Sequence, residues 1–305
     1  MKKKMLKICM STLLTMSMGF AMAGCGSLNG GSNDSTSTKS EETSEEIAGS
    51  ITVSGSSALL PLMEQAIEKF NAKYPDASIS AQAGGSGTGL TQVMDGTVDI
   101  GNSDIFAEEK LDKDKASTLV DHQVVAESFA IAVNKSVGVD NLTKDQIKKI
   151  FLGEIKNWKE VGGKDQEIFV IHRKDGSGTR ATFEKKLLDG TKENDAIGIM
   201  QDSNGAVLSA MKQNEGAISY LGLAYLNGDD AKNAGIVATK IDGVSAEKNS
   251  IADGSYKFWS WGHMYTKGEA KGLSKQFIDY ISSSEVKEIV DNLGFVSISD
   301  MKVKE

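Results

Sequence analysis

The sequence predicts an α/β fold arranged as two lobes of sheet flanked by helices. Three observations carry this. Short β-rich runs alternate with helical patterns along the chain, which argues for sheets covered by helices. Once the polar N-terminal stretch is set aside, roughly 250 residues remain, enough for two modest lobes. Two buried-looking runs, Ser128–Val133 and Ala217–Leu221, suit a crossing between lobes and a return. On this reading lobe 1 begins with residues 49–130, lobe 2 is 131–220, and residues 221–305 return to lobe 1.

The elements follow in order. Ser50–Gly55 reads as a strand, and Ser56 and Ser57 cap a helix whose Leu59, Leu62, Met63, Ala66, Ile67 and Phe70 recur at helical spacing. Ala77–Ala81 is a second strand, running into Gly84-Gly85-Ser86-Gly87-Thr88-Gly89 and a short helix with Leu90, Val93 and Met94 on one face. Val98–Asp104 is a third strand ending in a polar turn. Asp145–Ile155 reads as a helix, and Glu167–His172 as a strand delivering a helix from Ala181 to Leu188. Leu273–Ile281 and Val286–Leu293 read as paired C-terminal helices.

The chain opens on a different composition. Lys2, Lys3, Lys4 and Lys7 precede a mostly apolar run, Ile8–Met22, and Ala23-Gly24 precede Cys25. That is the layout of a signal peptide, 1–24, whose apolar run is short for a stable membrane span. Residues 25–48 are almost wholly polar and small, a composition with nothing to bury and suited to a flexible linker. Of two cysteines, Cys9 falls in the segment expected to be removed, so no internal disulfide remains. Removing the four lysines of residues 1–24 takes the formal charge from −8 to −12. An acidic protein of this kind is a poor candidate for nucleic acid.

Arginine usage marks one segment. Of 34 basic residues only Arg173 and Arg180 are arginine, both within His172-Arg173-Lys174-Asp175-Gly176-Ser177-Gly178-Thr179-Arg180. Guanidinium grips phosphate or carboxylate bidentately, which lysine does not. A glycine-serine turn before a helix offers bare N–H groups to an anion, although it serves equally as an ordinary cap. The same strand, Gly/Ser turn and helix start recurs at Gly55-Ser56-Ser57-Ala58 and Gly85-Ser86-Gly87-Thr88. In α/β lobes such loops gather outside the carboxyl ends of the strands.

Taken in order, these motifs carry a resemblance covering residues 50–300. Gly55-Ser56-Ser57, Gly85-Ser86-Gly87-Thr88-Gly89, Val98–Asp104 and Arg173–Arg180 resemble the phosphate-binding proteins of bacterial phosphate-specific ABC transporters. Phe151–Trp158 and Met264–Gly268 are also similar to that family. The resemblance implies a two-lobe, type II periplasmic-binding-protein-like fold with mixed sheets and two crossing strands as hinge. It implies high-affinity binding of inorganic phosphate outside the cytoplasm and delivery to permease and ATPase subunits, with no catalysis, cofactor or metal. Residue by residue, it implies phosphate ligands at Ser57, Ala58, Ser86, Asp104, Arg173, Ser177, Gly178 and Thr179. Asp175 would orient Arg173, and Arg180 would be a further ligand or a residue of the mouth. The segment ending in Cys25 resembles a lipobox, with Met22 where leucine is commoner, which implies cleavage after Gly24, a lipid on Cys25 and a membrane anchor.

Asp104 is the residue expected to discriminate. Phosphate at neutral pH still carries a proton that a carboxylate accepts, whereas sulfate carries none. A site built around a ligand's hydroxyl rejects analogues lacking it by roughly 10⁴-fold or more. An aspartate ending a turn is also an ordinary structural feature. Other tetrahedral oxyanions, sulfate or molybdate, are the alternative ligands, and a surface phosphohydrolase or a lipoprotein that senses or adheres are the alternative classes. Against hydrolysis, no P-loop ending and no Gly-x-Ser-x-Gly elbow is present, and His122, His172 and His263 lack metal-ligand spacing.

Overall fold

A computed structural model describes residues 47–303. The proposed signal peptide, Cys25 and nearly all of the linker lie outside these residues. Twelve strands are present among them: β1 Gly49–Gly55, β2 Ala77–Ala83, β3 Ile100–Ser103, β4 Leu119–Asn134, β5 Asn141–Leu142, β6 Phe169–Arg173, β7 Ile199–Gln201, β8 Ala217–Gly222, β9 Ile236–Ala238, β10 Lys240–Ile241, β11 Trp259–Lys267 and β12 Val296–Ser297. Ten of them form one continuous sheet in the order β2-β1-β3-β11-β4-β8-β6-β7, with β9 and β12 also paired to β4; β5 and β10 pair separately.

β4 organises this sheet. Its first part, Leu119–Ser128, runs antiparallel to β11, and its second, Phe129–Val133, runs antiparallel to β8. Residues 124–133 are buried without a break, so the strand reads as a continuous apolar run rather than an alternating one. β1 pairs in parallel with β2 and β3, while β6 pairs in parallel with β7 and β8. Each half therefore keeps a parallel set, and antiparallel β4 and β11 lie between them. This is the mixed, two-lobe α/β class expected.

The two halves have separate cores. Around β1 and β3, helix Leu60–Lys73 buries Leu62, Met63, Ala66 and Phe70, and Phe70 meets Phe277 and Tyr280 of helix Gly272–Ile281 edge-on. Around β6 and β8, Phe151, Trp158, Phe183, Tyr220 and Phe258 pack together, with Phe183 stacked on Tyr220 at 4.2 Å. Helix Lys144–Leu152 is set by Thr143, which accepts from the Gln146 N–H while Gln146 accepts from the Thr143 N–H, a reciprocal cap. Gly153 stops it with φ +80°, three residues short of the expected Ile155.

The return between halves differs from the expectation. Ala217–Leu221 lies inside the second half, held between β4 and β6. The chain comes back at Phe258–Trp259, where the Phe258 carbonyl accepts from the Phe129 N–H at 3.1 Å. Ile241, Ile251, Tyr256 and Phe258 share the core of Phe151 and Tyr220. A short, wholly buried run looks the same in sequence whether it crosses between lobes or lies at the centre of one.

Candidate functional site

β6 brings Val170, Ile171 and His172 through the core and ends on Arg173, which is 1% exposed. Arg173 Nη2 donates to Ser57 Oγ at 3.3 Å and to the Asp202 carbonyl at 3.1 Å, and its backbone N–H donates to Tyr220 Oη at 3.2 Å. Nε and Nη1 are buried and meet no partner among the described residues. Burial pulls the guanidinium's pKa down, against the opposing influence of Tyr220, Asp104, Tyr225 and Asp202. A buried charge with free donors is costly by several kcal/mol, so this group is poised for an anion.

The loops converge on it. Ser56 Oγ accepts from the Ala58 and Leu59 N–H groups at 3.0 and 3.2 Å, so capping falls to Ser56 and leaves Ser57 for the site. Ser57 Oγ accepts from Asn204 N–H at 3.1 Å and Asn204 Nδ2 at 2.9 Å, besides Arg173. Three donors on one hydroxyl oxygen exceed its two lone pairs, so donors are in surplus here. Tyr225 Oη donates to the Ser57 carbonyl at 2.8 Å, and burial pushes that phenol up to about 12.

One acceptor stands among these donors. Asp104, 2% exposed, follows β3; its N–H donates to Ser86 Oγ at 3.0 Å and its Oδ2 accepts from Thr179 Oγ1 at 2.9 Å. Its Oδ1 is buried and unpartnered among the described residues. Gly178 lies so close that a Cβ there would sit 2.2 Å from Ser86 Oγ and 2.9 Å from Asp104 Cβ. The Gly87 N–H donates to the Gly176 carbonyl at 2.9 Å, joining the second loop to the arginine loop. Helices Ser86–Asp95, Gly178–Leu187 and Asn204–Met211 all start in this ring of residues, presenting positive ends.

Most of the residues expected for the site are thus together: Ser57, Ser86, Asp104, Arg173, Gly178 and Thr179. Ser177 is buried as the cap of its helix, accepting from the Arg180 N–H at 3.2 Å, and the helix starts at Gly178, ahead of the expected Ala181. The Ala58 N–H is engaged locally by Ser56.

Two expectations are corrected. Asp175 does not orient Arg173: it is exposed on the turn, and the Asp202 carbonyl and Ser57 hold the guanidinium instead. Gly176, with φ +85°, turns the chain inward only after Asp175 has passed. Nor is Arg180 at a mouth. It is 4% exposed and directs Nε at Glu184 and Glu193 (both 3.0 Å), Nη2 at Asp195 (2.8 Å) and Nη1 at the Arg173 carbonyl (2.8 Å). Burial works against its charge, and Glu193 and Glu184 more than offset it, raising its pKa. His172, Glu193 and Asp195 bring ligand atoms within 4.8 Å of one another. Arg180 already pairs both carboxylates, and His172 Nε2 faces the Ile197 carbonyl at 2.8 Å, so the cluster is an ion-pair network.

Asn204, Asp202, Tyr220 and Tyr225 escape the sequence reading. A signal exists: β7 is followed by Asp202-Ser203-Asn204-Gly205 and a helix, a fourth loop of the same construction.

The chain is similar to known proteins over most of its length. A family model described as a PBP superfamily domain matches residues 40–285. The phosphate-binding protein PstS of Bacillus subtilis (strain 168) is 48% identical over 304 residues, 99% of this chain and 97% of that one. PstS of Staphylococcus haemolyticus (strain JCSC1435) is 29% identical, covering 86% and 85%. Among solved structures, a putative phosphate ABC transporter substrate-binding protein from Clostridium perfringens, with bound phosphate, matches with TM-score 0.73 and 32% identity, covering 82% of this chain and 100% of that one. An ABC-type phosphate transport receptor from Vibrio cholerae matches with TM-score 0.62 and 26% identity, covering 81% and 99%.

Proposed function

The chain belongs to the PBP superfamily and to the phosphate-binding protein family of its 48% identical relative; from that membership and the site we propose that it binds inorganic phosphate outside the cytoplasm for an ABC importer. The observation that carries the ligand assignment is a set of unmatched donors and an unmatched acceptor buried at one site. Arg173 Nε and Nη1 and Asp104 Oδ1 are buried without partners among the described residues. A donor fork suits any oxyanion, but a carboxylate beside it suits only one that brings a proton. Phosphate does so at neutral pH, and sulfate does not.

In this reading Arg173 grips two phosphate oxygens. The Ser57 and Ser86 hydroxyls, the Gly178 amide, and Ser177 and Thr179 at a helix N-terminus complete the cradle, and Asp104 accepts a hydrogen bond from the ligand's proton. Ser57, Ser86 and Asp104 come from the lobe built on β1 and β3, and Arg173–Thr179 from the lobe built on β6. Phosphate therefore closes one lobe on the other about β4 and β11. A micromolar dissociation constant corresponds to about −8 kcal/mol, within reach of several charge-assisted hydrogen bonds. The closed surface is what the permease of the importer reads, its ATPase subunits drive the uptake that follows, and a lipid on Cys25 holds the protein at the membrane. The protein performs no catalysis.

Calorimetric titration of protein stripped of carried-over phosphate tests the proposal. One-to-one binding of phosphate with silent sulfate is expected. Equal affinities for the two would remove the proton-reading role of Asp104, and silence with phosphate would remove the ligand.

A further inference from the structure

Glu127 is a second buried carboxyl next to the site, beside Asp104. It lies on β4 just before the crossing, opposite Ser260 of β11, and is 1% exposed. A Cβ on Gly262 would approach its Cγ to 3.1 Å, so the side chain is packed from that strand. Neither carboxyl oxygen meets a donor from any described residue. The polar group in hydrogen-bonding position is the Asp104 carboxyl, which is also the one ionisable group acting on Glu127 among the described residues. The neighbouring Ser128 and Ser260 hydroxyls are buried and unpartnered, and neither carries charge.

Two carboxyls in contact and out of water cannot both be ionised; a shared proton makes them a hydrogen-bonded pair. The surroundings decide which one keeps it. Asp104 already accepts from Thr179 Oγ1 and has the Arg173 guanidinium as a neighbour. Glu127 has no donor and no cation. Burial, and then the charge of Asp104, push its pKa well above the ordinary carboxylate range.

We propose that Glu127 is a positioning residue for ligand specificity: its carboxylic acid O–H donates to Asp104, holding that aspartate ionised and aimed as the acceptor for the ligand's proton. Without this donor, a carboxylate pressed against an incoming anion would be driven to take up a proton itself and would then cease to discriminate. The functional half of the inference rests on the phosphate reading, whereas the protonation of Glu127 does not.

The experiment has two arms on the full folded chain. Infrared spectra of ligand-free protein at neutral pH should show a protonated carboxylic acid band that Glu127→Gln removes; no difference between the two proteins would overturn the proposal. Calorimetry with inorganic phosphate forms the second arm. E127M, close in size but without a donor, should bind about tenfold or more weakly, the magnitude of one hydrogen bond to a charged group. E127Q, whose amide donates to Asp104, should recover most of that loss. Wild-type affinity should also fall more steeply than that of E127Q as pH rises and Glu127 loses its proton. Full affinity in E127M, or identical pH profiles for wild type and E127Q, would overturn the positioning role. Should wild type fail to bind phosphate at all, the ligand reading falls and the infrared arm alone decides whether Glu127 donates to Asp104.

Discussion

Arg180 donates from Nη1 to the carbonyl oxygen of Arg173 at 2.8 Å, so one of the chain's two arginines holds the backbone of the other. The support continues through Tyr220, which accepts from the Arg173 N–H and donates to Glu193, and Glu193 pairs with Arg180 and His172. Arg173 thus stands on a buried ring of polar groups rather than on packing alone. Removing one partner from such a ring leaves uncompensated charge. Arg180→Met should therefore lower unfolding free energy by about 3–5 kcal/mol, the usual range for a broken buried pair. Chemical denaturation measures it, and a loss below about 1 kcal/mol, typical of an exposed pair, would mean the ring is not structural.

Arg173 should behave in the opposite way. Its Nε and Nη1 are buried and unmatched, so the folded protein bears their desolvation without full return. Arg173→Met should weaken phosphate binding by about 3–5 kcal/mol while raising or preserving ligand-free stability, because an unpaired buried charge is replaced by an apolar chain of similar reach. Calorimetric binding and thermal unfolding, measured on the same samples, separate the two. A variant that is less stable yet binds as well as wild type would reverse both assignments.

Much of this arrangement was legible in the chain, and the gaps have physical causes. The helix near Asp145, the Phe70 helix and the three Gly/Ser loops are local devices, and local chemistry reads directly from sequence. The Asn204 loop escapes a sequence reading because its strand, β7, is only three residues long, too short for a strand period to show. Arg180 reads as a further ligand or a residue of the mouth because two of its three acidic partners, Glu193 and Asp195, lie 13 and 15 residues away. The pairing of Asp175 with Arg173 rests on the family resemblance of the segment. Only the turn at Gly176 shows that Asp175 faces out.

Gly178 tests how closely the two loops must approach. With Ser86 Oγ only 2.2 Å from where a Cβ would stand, Gly178→Ala cannot be absorbed by a small rotamer change. An overpacked contact typically costs about 1–3 kcal/mol. The loss should fall on phosphate affinity and on ligand-induced compaction seen by small-angle scattering, with unfolding of the ligand-free protein nearly unaffected. Compaction equal to wild type would show that the loops need not meet.

Asp104→Asn should narrow the gap between phosphate and sulfate from both directions. The amide can donate to sulfate, relieving the carboxylate–anion clash, and it accepts the phosphate proton more weakly than a charged oxygen does. Competition titrations of both anions against the variant measure the ratio. An undiminished ratio would mean that another group reads the proton.

Glu127 makes a prediction about stability that needs no ligand. Its pKa is raised in the folded state by burial and by Asp104, so above the unfolded value the folded protein holds one proton more than the unfolded chain. Linkage then gives stability that falls as pH rises, by about 1.4 kcal/mol per pH unit from this group alone. The fall begins near the ordinary glutamate value and ends where the folded Glu127 itself ionises. Glu127→Gln cannot release a proton in either state, so its unfolding free energy should lack that slope. Subtracting the two pH profiles cancels every other titrating group to first order. A flat difference would mean that Glu127 is ionised in the fold; a difference growing in favour of the glutamine variant from mildly acidic pH upward would place the shared proton on Glu127.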